Sequence, residues 1–381
     1  DQLNRLRSMD AYKGLTAANN SWANLVTLNA YRERIAYDAN GNILKYLRHG
    51  NVNTTIKMDS LSYKYNYSSG NLVNNRLNWV KDSVVNTGAY VDDIENQVSV
   101  NYQYDAIGNL IKDSSANISS INWNVYGKIS DINFNFVTAN KPKKISYNYD
   151  AAGNRIGKKV ESYGNTSNAA TSSKYTWYVR DASGNVMATY SGSGTTALPT
   201  AVNVEERHLY GSSRLGLLNL VVNNTTLPQA VIGTSFSTNF TRGNKFFELT
   251  NHLGNVLVTV SDKKIAVDAN SDGIIDYYTA DVVTANDMYS GGMIMPGRKY
   301  QANGSSSYRY SINGQEKETE LNENITTALY WEYDSRIVRR WNKDPEGNEF
   351  ESPYLCFNGN PIQMTDPLGN KPYDDKYRDR N

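Results

Sequence analysis

The chain has 381 residues, with 39 basic against 38 acidic side chains and a net charge of +1. That balance excludes the basic face of a nucleic-acid binder and the polybasic patch of a membrane docker, and no apolar run reaches the roughly 18 residues of a membrane helix. A lone cysteine, Cys356, excludes an intramolecular disulfide, while 29 tyrosines against 8 phenylalanines, among many Asn, Ser, Thr and Gly residues, predict short strands joined by turns.

The N-terminal stretch DQLNRLRSMD has no signal-peptide pattern. It reads as the middle of a repeat, as NNRLNWVKD at 74–82 does, so the chain is expected to be a piece of something longer. The first full repeat is YDANGN, Tyr37 to Asn42; YDAIGN at Tyr104–Asn109 and YDAAGN at Tyr149–Asn154 follow. Ahead of the second copy, VSVNYQY puts Val98, Val100, Tyr102 and Tyr104 on one face and Ser99, Asn101 and Gln103 on the other. Ahead of the third, Ile145, Tyr147 and Tyr149 oppose Lys144, Ser146 and Asn148. Alternation of period two marks a strand with one wet face. Aspartate at the first position of a turn caps it, and glycine at the fourth tolerates positive φ, so D-x-x-G closes a hairpin with a bulge. Each copy is therefore a unit of strand, turn and return strand, with Asn opening the return.

Degenerate copies obey the same logic: YNYSSGNLV (65–73), WNVYGKIS (123–130), VRDASGNVMATY (179–190) and TNHLGNVLVTV (250–260). The turn glycines recur at unequal intervals, which disfavours a propeller of steady period. An all-β fold is predicted, a curled antiparallel sheet of hairpins with insertions in the loops.

Further along, DANSDGIID places oxygen donors at Asp268, Asn270, Asp272 and Asp276 with a glycine after the third, like the first part of a calcium loop. A calcium loop would want Glu at its twelfth position, where Thr279 stands with Asp281 nearby; the other reading is an Asx-rich hairpin turn. His49, His208 and His252 lack metal spacing, and Cys356 is expected to be an inert buried thiol.

Two frames close the chain: DPEG, Asp344–Gly347, and DPLG, Asp366–Gly369. Asp-Pro-x-Gly is the composition of a type I turn, and each frame read alone is a turn. Read as a pair, two adjacent carboxylates share one proton, so that one serves as base toward water and the other as acid, the chemistry of an aspartic protease. A neighbouring arginine, Arg339 or Arg340, would hold one of them ionised.

The Y-D-x-x-G-N copies resemble the YD repeats of bacterial Rhs proteins. HLYGSSRLGLL (208–218), TNHLGNVLVTVSDKK (250–264), DYYTADVVTANDMY (276–289), MPGRKY (295–300) and YRYSINGQEKE (308–318) are similar to the Rhs repeat-associated core. The resemblance implies a hollow β-shell, or cocoon, that encloses a C-terminal toxin, with the core region plugging its end and cutting the chain beside the toxin. It divides the chain into repeat hairpins of the wall (1–200), the core (201–370) and the start of a variable region (371–381). In that family the paired frames mark self-cleavage after the residue following the second frame. Here that residue is Asn370, where leucine is usual, so the cut would fall between Asn370 and Lys371. The implied partners are the chain's own C-terminal toxin, the rest of the shell and a secretion machine. The implied location is outside a bacterium or on its surface, and the only enzymatic activity would be intramolecular. No cofactor is required on this reading, and calcium at the Asp268 loop is optional. A different class of function, surface adhesion or carbohydrate binding by a tyrosine-rich face, fits the same composition.

Overall fold

The computed structural model describes residues 1–135, 141–163, 170–194, 199, 202–220, 241–302, 304, 307–347 and 349–374. Among these the chain is all-β and antiparallel. A five-stranded sheet runs through Ser8–Met9, Glu33–Tyr37, Ile43–His49, Lys57–Ser68 and Asn71–Asp82. A 14-stranded sheet then runs in unbroken sequence order from Tyr102–Tyr104 to Ile294–Gln301. Together the two form the wall. The boundary at 200/201 falls outside the described residues, and the strands on either side of it, Val186–Gly194 and Asn203–Tyr210, pair directly. After Gln301 the strands become short.

The repeat builds its turn in full. In YDAAGN the Asn154 amide and side-chain Nδ2 donate to the two oxygens of Asp150, at 2.8 and 3.0 Å. Asp38 with Asn42, Asp105 with Asn109 and Asp181 with Asn185 repeat this geometry. The asparagine thus does more than open the return strand: it is clamped to the aspartate across the turn. The glycine between them lies at φ +83° at Gly153, where a Cβ would be strained. The ladder shifts register just before the aspartate, between Asn148 and Tyr149, which is the expected bulge.

Successive hairpins are stitched at this end. The residue four before a turn glycine donates to the carbonyl two after the preceding turn glycine. Trp123 Nε1 donates to Leu110 at 2.7 Å, Tyr149 Oη to Ile129 at 2.8 Å and Arg180 Nε to Arg155 at 2.9 Å. Tyr210 Oη makes the matching bond to Val186 at 3.0 Å, ahead of a turn with Arg214 in place of the glycine. Tyr149 and Tyr210 each combine an apolar ring in the sheet with a donor at its tip.

VSVNYQY departs from its alternation. Only Tyr102–Tyr104 forms a strand, and Val98 and Val100 are exposed. Val100 sits at φ +62°, and Asn101 turns inward to bond Asp113 at 2.9 Å. The wall is therefore two sheets rather than one. Gln97 bridges the break, accepting from the Val80 amide and donating to Tyr102 Oη, each at 2.8 Å.

The terminal segment packs on one face of both sheets. Its four short strands are Glu316–Lys317, Ile325–Thr327, Glu332–Asp334 and Arg339–Arg340. Ile325, Ile337 and Trp341 join wall residues such as Leu61, Leu77, Ile121, Ile132 and Ile145 in a single hydrophobic cluster. Buried charges add directional contacts. Arg155 of the wall meets Glu318 and, at 3.0 Å, Glu332; Lys158 meets Glu320 at 2.8 Å. Arg309 of the terminal segment meets Glu206 of the wall at 2.6 Å. Among the described residues no helix is long and apolar enough to cross a membrane.

Candidate functional site

The two Asp-Pro frames come together around one guanidinium. Arg339 and Arg340 are consecutive in a strand, so their side chains leave on opposite faces. Arg339 turns to the wall, lies 4.4 Å from the Tyr354 ring centroid and donates to the Asn75 carbonyl. Arg340 turns to the frames. Its Nη1 lies 2.7 Å from Asp344 Oδ2, and its Nη2 donates to the Gly369 carbonyl at 2.8 Å. Its head group is buried against the Trp331 ring.

Asp344 is half-buried, and its backbone amide is held by the Pro353 carbonyl at 2.8 Å. Asp366 is 1% exposed. It follows the strand Met364–Thr365, which pairs with Tyr373–Asp374, so the 370–371 bond lies in the loop of this small hairpin. One carboxylate oxygen, Asp366 Oδ1, accepts the amides of Gly369 at 2.8 Å, Asn370 at 3.1 Å and Lys371 at 3.3 Å. Gln315 Nε2 donates to the Asp366 carbonyl at 2.8 Å, and the Tyr330 amide donates to the Leu368 carbonyl at 2.8 Å. Gly369, at φ +80°, lies so close to Trp331 that a Cβ there would sit 2.5 Å from the indole. The loop carrying the bond is therefore gripped from three sides.

Burial pushes both carboxyls above the ordinary aspartate range. For Asp344 the Arg340 charge opposes the rise; for Asp366 the donated amides and Arg340 oppose it, while the charge of Asp344 adds to it. The two acids thus sit in one electrostatic field, with a neutral carboxyl favoured more than in water. Beside them Cys356 is buried and its thiol is pushed up to about 12, which removes it as a nucleophile at neutral pH. Pro367 and Leu368 border a cavity of about 460 Å³ between the wall hairpins and the terminal sheet. Lys128, Arg180 and Arg214 face it from the wall, and Glu316 and Glu332 from the terminal segment.

One partner escaped the sequence reading. Asn370 Nδ2 donates to Glu346 Oε1 at 2.6 Å, joining the residue after the second frame to the third residue of the first. The available signal was a polar side chain where the resemblance implies an apolar one.

The aspartate-rich loop lies elsewhere, at the exposed tip between strands Val256–Val267 and Tyr277–Met288. Its oxygens serve its own turn. Asp268 accepts the amides of Asp272 at 3.1 Å and Gly273 at 2.8 Å, Asp276 accepts that of Ala269 at 2.8 Å, and Asn270 Nδ2 bonds Asp272. Asp281 accepts from Ser261 instead of facing this tip. Among the described residues no three His, Cys, Asp or Glu side chains gather as a metal shell. The histidines are apart from one another: His49 contacts the Asn29 carbonyl, His208 lies near Glu206, and His252 contacts the Ile362 carbonyl.

No family model matches the chain, and no curated protein matches it by sequence. Solved structures do. The crystal structure of TcdB2-TccC3-TEV is similar over 97% of this chain and 15% of that one, at TM-score 0.62 and 16% identity. The Photorhabdus luminescens Tc holotoxin pore, carrying a mutation in TccC3, is similar over 92% of this chain and 16% of that one, at TM-score 0.54 and 14% identity. The fold is the one these toxin chains share. That likeness agrees with the antiparallel sheets, not closed into a barrel, described above. The chain spans about a sixth of the length of those structures.

Proposed function

We propose that the chain is a section of the shell that encapsulates a secreted toxin, and that it cuts itself between Asn370 and Lys371. Two lines support the container reading: the likeness to chains of Tc toxin assemblies, and a terminal segment clamped by buried charges onto one face of the wall. A folded wall around a toxic domain separates it from the cell that makes it.

The single observation that carries the self-cleavage reading is the contact of Asp366 with the amide of Lys371. That nitrogen must leave with an added proton. Burial raises the pKa of the Asp366 carboxyl beside it, which suits that group to the part of general acid. Asp344 is then the base: it takes a proton from water as the water oxygen bonds to the Asn370 carbonyl carbon. The carbon–nitrogen bond breaks, and Asp366 gives its proton to Lys371 N. Arg340 binds Asp344 and the Gly369 carbonyl together, so it positions the base relative to the loop.

The test is intact mass. The wild-type chain is expected to lose Lys371–Asn381 as a free peptide, with Asp344→Asn and Asp366→Asn each remaining whole. Cleavage at an undiminished rate in both variants sinks the protease reading and leaves the container reading standing.

A further inference from the structure

Resting on the self-cleavage reading, we propose that Glu346 is the positioning residue that reads position 370, so that the first Asp-Pro turn supplies both a carboxyl for the cut and the grip on the residue before it. Asn370 is held at two ends. Its backbone amide goes to Asp366 Oδ1 at 3.1 Å and its side-chain Nδ2 to Glu346 Oε1 at 2.6 Å. The second is a short bond to an ionised acceptor, the stronger class of hydrogen bond. Glu346 is itself tied to the base, because its amide donates to Asp344 Oδ1 at 3.0 Å. A displacement of Asn370 would therefore reach Asp344 through two bonds, and the base and the bond to be cut are kept in one frame.

This arrangement accounts for the residue type at 370. An apolar side chain is held by shape, and needs a lined pocket. Asn370 is only partly buried, and Leu368 within the second frame is 51% exposed, so the loop offers little apolar enclosure. A directional donor meeting the carboxylate of the exposed Glu346 does the same work at a half-open site. Selectivity follows from the same chemistry: leucine cannot donate, and aspartate would set a second negative charge against Glu346. Sites that hydrogen-bond a group reject analogues lacking it more sharply than apolar pockets reject extra bulk.

The experiment follows the first-order loss of Lys371–Asn381 from the 381-residue chain, purified whole at a pH that suppresses cutting and then jumped to neutrality. Glu346→Ala is expected to slow the cut about tenfold, the order expected for one charge-assisted bond. Glu346→Gln keeps an acceptor and is expected to stay within about threefold of wild type. Asn370→Leu alone is expected to be slow, and the paired change Glu346→Leu with Asn370→Leu to regain most of the rate, which a merely structural role for Glu346 would not produce. A second readout needs no cutting: in uncut Asp344→Asn protein, the Asn370 side-chain amide protons are expected to exchange faster once Glu346 is alanine.

A Glu346→Ala chain that cuts at the wild-type rate overturns the inference. If Asp366→Asn is meanwhile inactive, the protease reading survives. A shell fragment lighter by one water than the hydrolysis product also overturns it, since the Asn370 amide would then be the nucleophile and Glu346 its base. A wild-type chain that stays whole under all conditions removes both readings.

Discussion

In the wall, strands of up to 12 residues pair with their neighbours in sequence, and the turns opened by Asp38, Asp105, Asp150 and Asp181 are each completed within six residues by one Asp and one Asn. From Tyr308 onward no strand among the described residues exceeds three, and the segment is fixed by side chains reaching far along the chain: Arg155 to Glu318, Arg309 to Glu206, Arg340 to Gly369. The first region carries its geometry locally. The second is assembled by long-range polar contacts in a dry setting, where each contact is costly to break because the partner left behind is desolvated.

The largest separation between the two regions is expected at Arg155. Replacing it with Met leaves Glu332 buried without its cation and Glu318 with Lys158 alone, at 3.4 Å, and should destabilise by about 3–5 kcal/mol in denaturant melts. Replacing the half-exposed Arg298, paired with Asp287 across a wall hairpin, should cost less than about 1 kcal/mol. Equal losses would show that the terminal clamp is not what distinguishes the regions.

Matched glycines come next. Gly369 and Gly70 share nearly the same φ, +80° and +82°, but a Cβ at Gly369 strikes Trp331, whereas at Gly70 nothing lies within 4 Å. Alanine at 70 should cost about 1 kcal/mol from backbone strain alone. At 369 overpacking adds about 1–3 kcal/mol more, and the cut should slow because the Asp366 loop must shift.

Acid provides a third comparison. Glu206 is buried, which raises its pKa, but Arg309 overcomes this and brings it down to about 2. A carboxyl depressed in the folded state adds stability above its unfolded pKa, near 4.3, and loses it as pH falls toward 2. At neutral pH the contribution is on the order of 3 kcal/mol. The melting temperature should therefore fall between pH 5 and 2, and more shallowly in Glu206→Gln. Smallest of all, Asn185→Ala at an exposed wall turn should cost about 0.5–1 kcal/mol.

The same contrast explains what could be read from the sequence. Tyr-Asp-x-x-Gly-Asn is a local code, so the hairpins, their turns and the bulge were legible at every copy. The Asp–Asn clamp was available in the constant spacing of the two residues, yet it needs the turn to be built before its partners meet. VSVNYQY failed because alternation does not register that Asn101 has a better bond to Asp113 than to a ladder. In the terminal segment the frames were visible, but adjacency in sequence could not tell Arg339 from Arg340. Glu346 was hidden because its partner lies 24 positions away, across a fold made of irregular chain.

The stitches between hairpins have one more implication. They all lie at the end of the wall where the Asp-Gly turns sit, and they connect turn to turn without reference to the chain between. The turn glycines can thus be unevenly spaced, as Gly108, Gly127, Gly153 and Gly184 are, while that rim keeps its gauge. Length variation is left to the opposite rim, where the connections 114–117 and 268–276 run. A foreign peptide spliced there would enlarge the ornament without disturbing the hem.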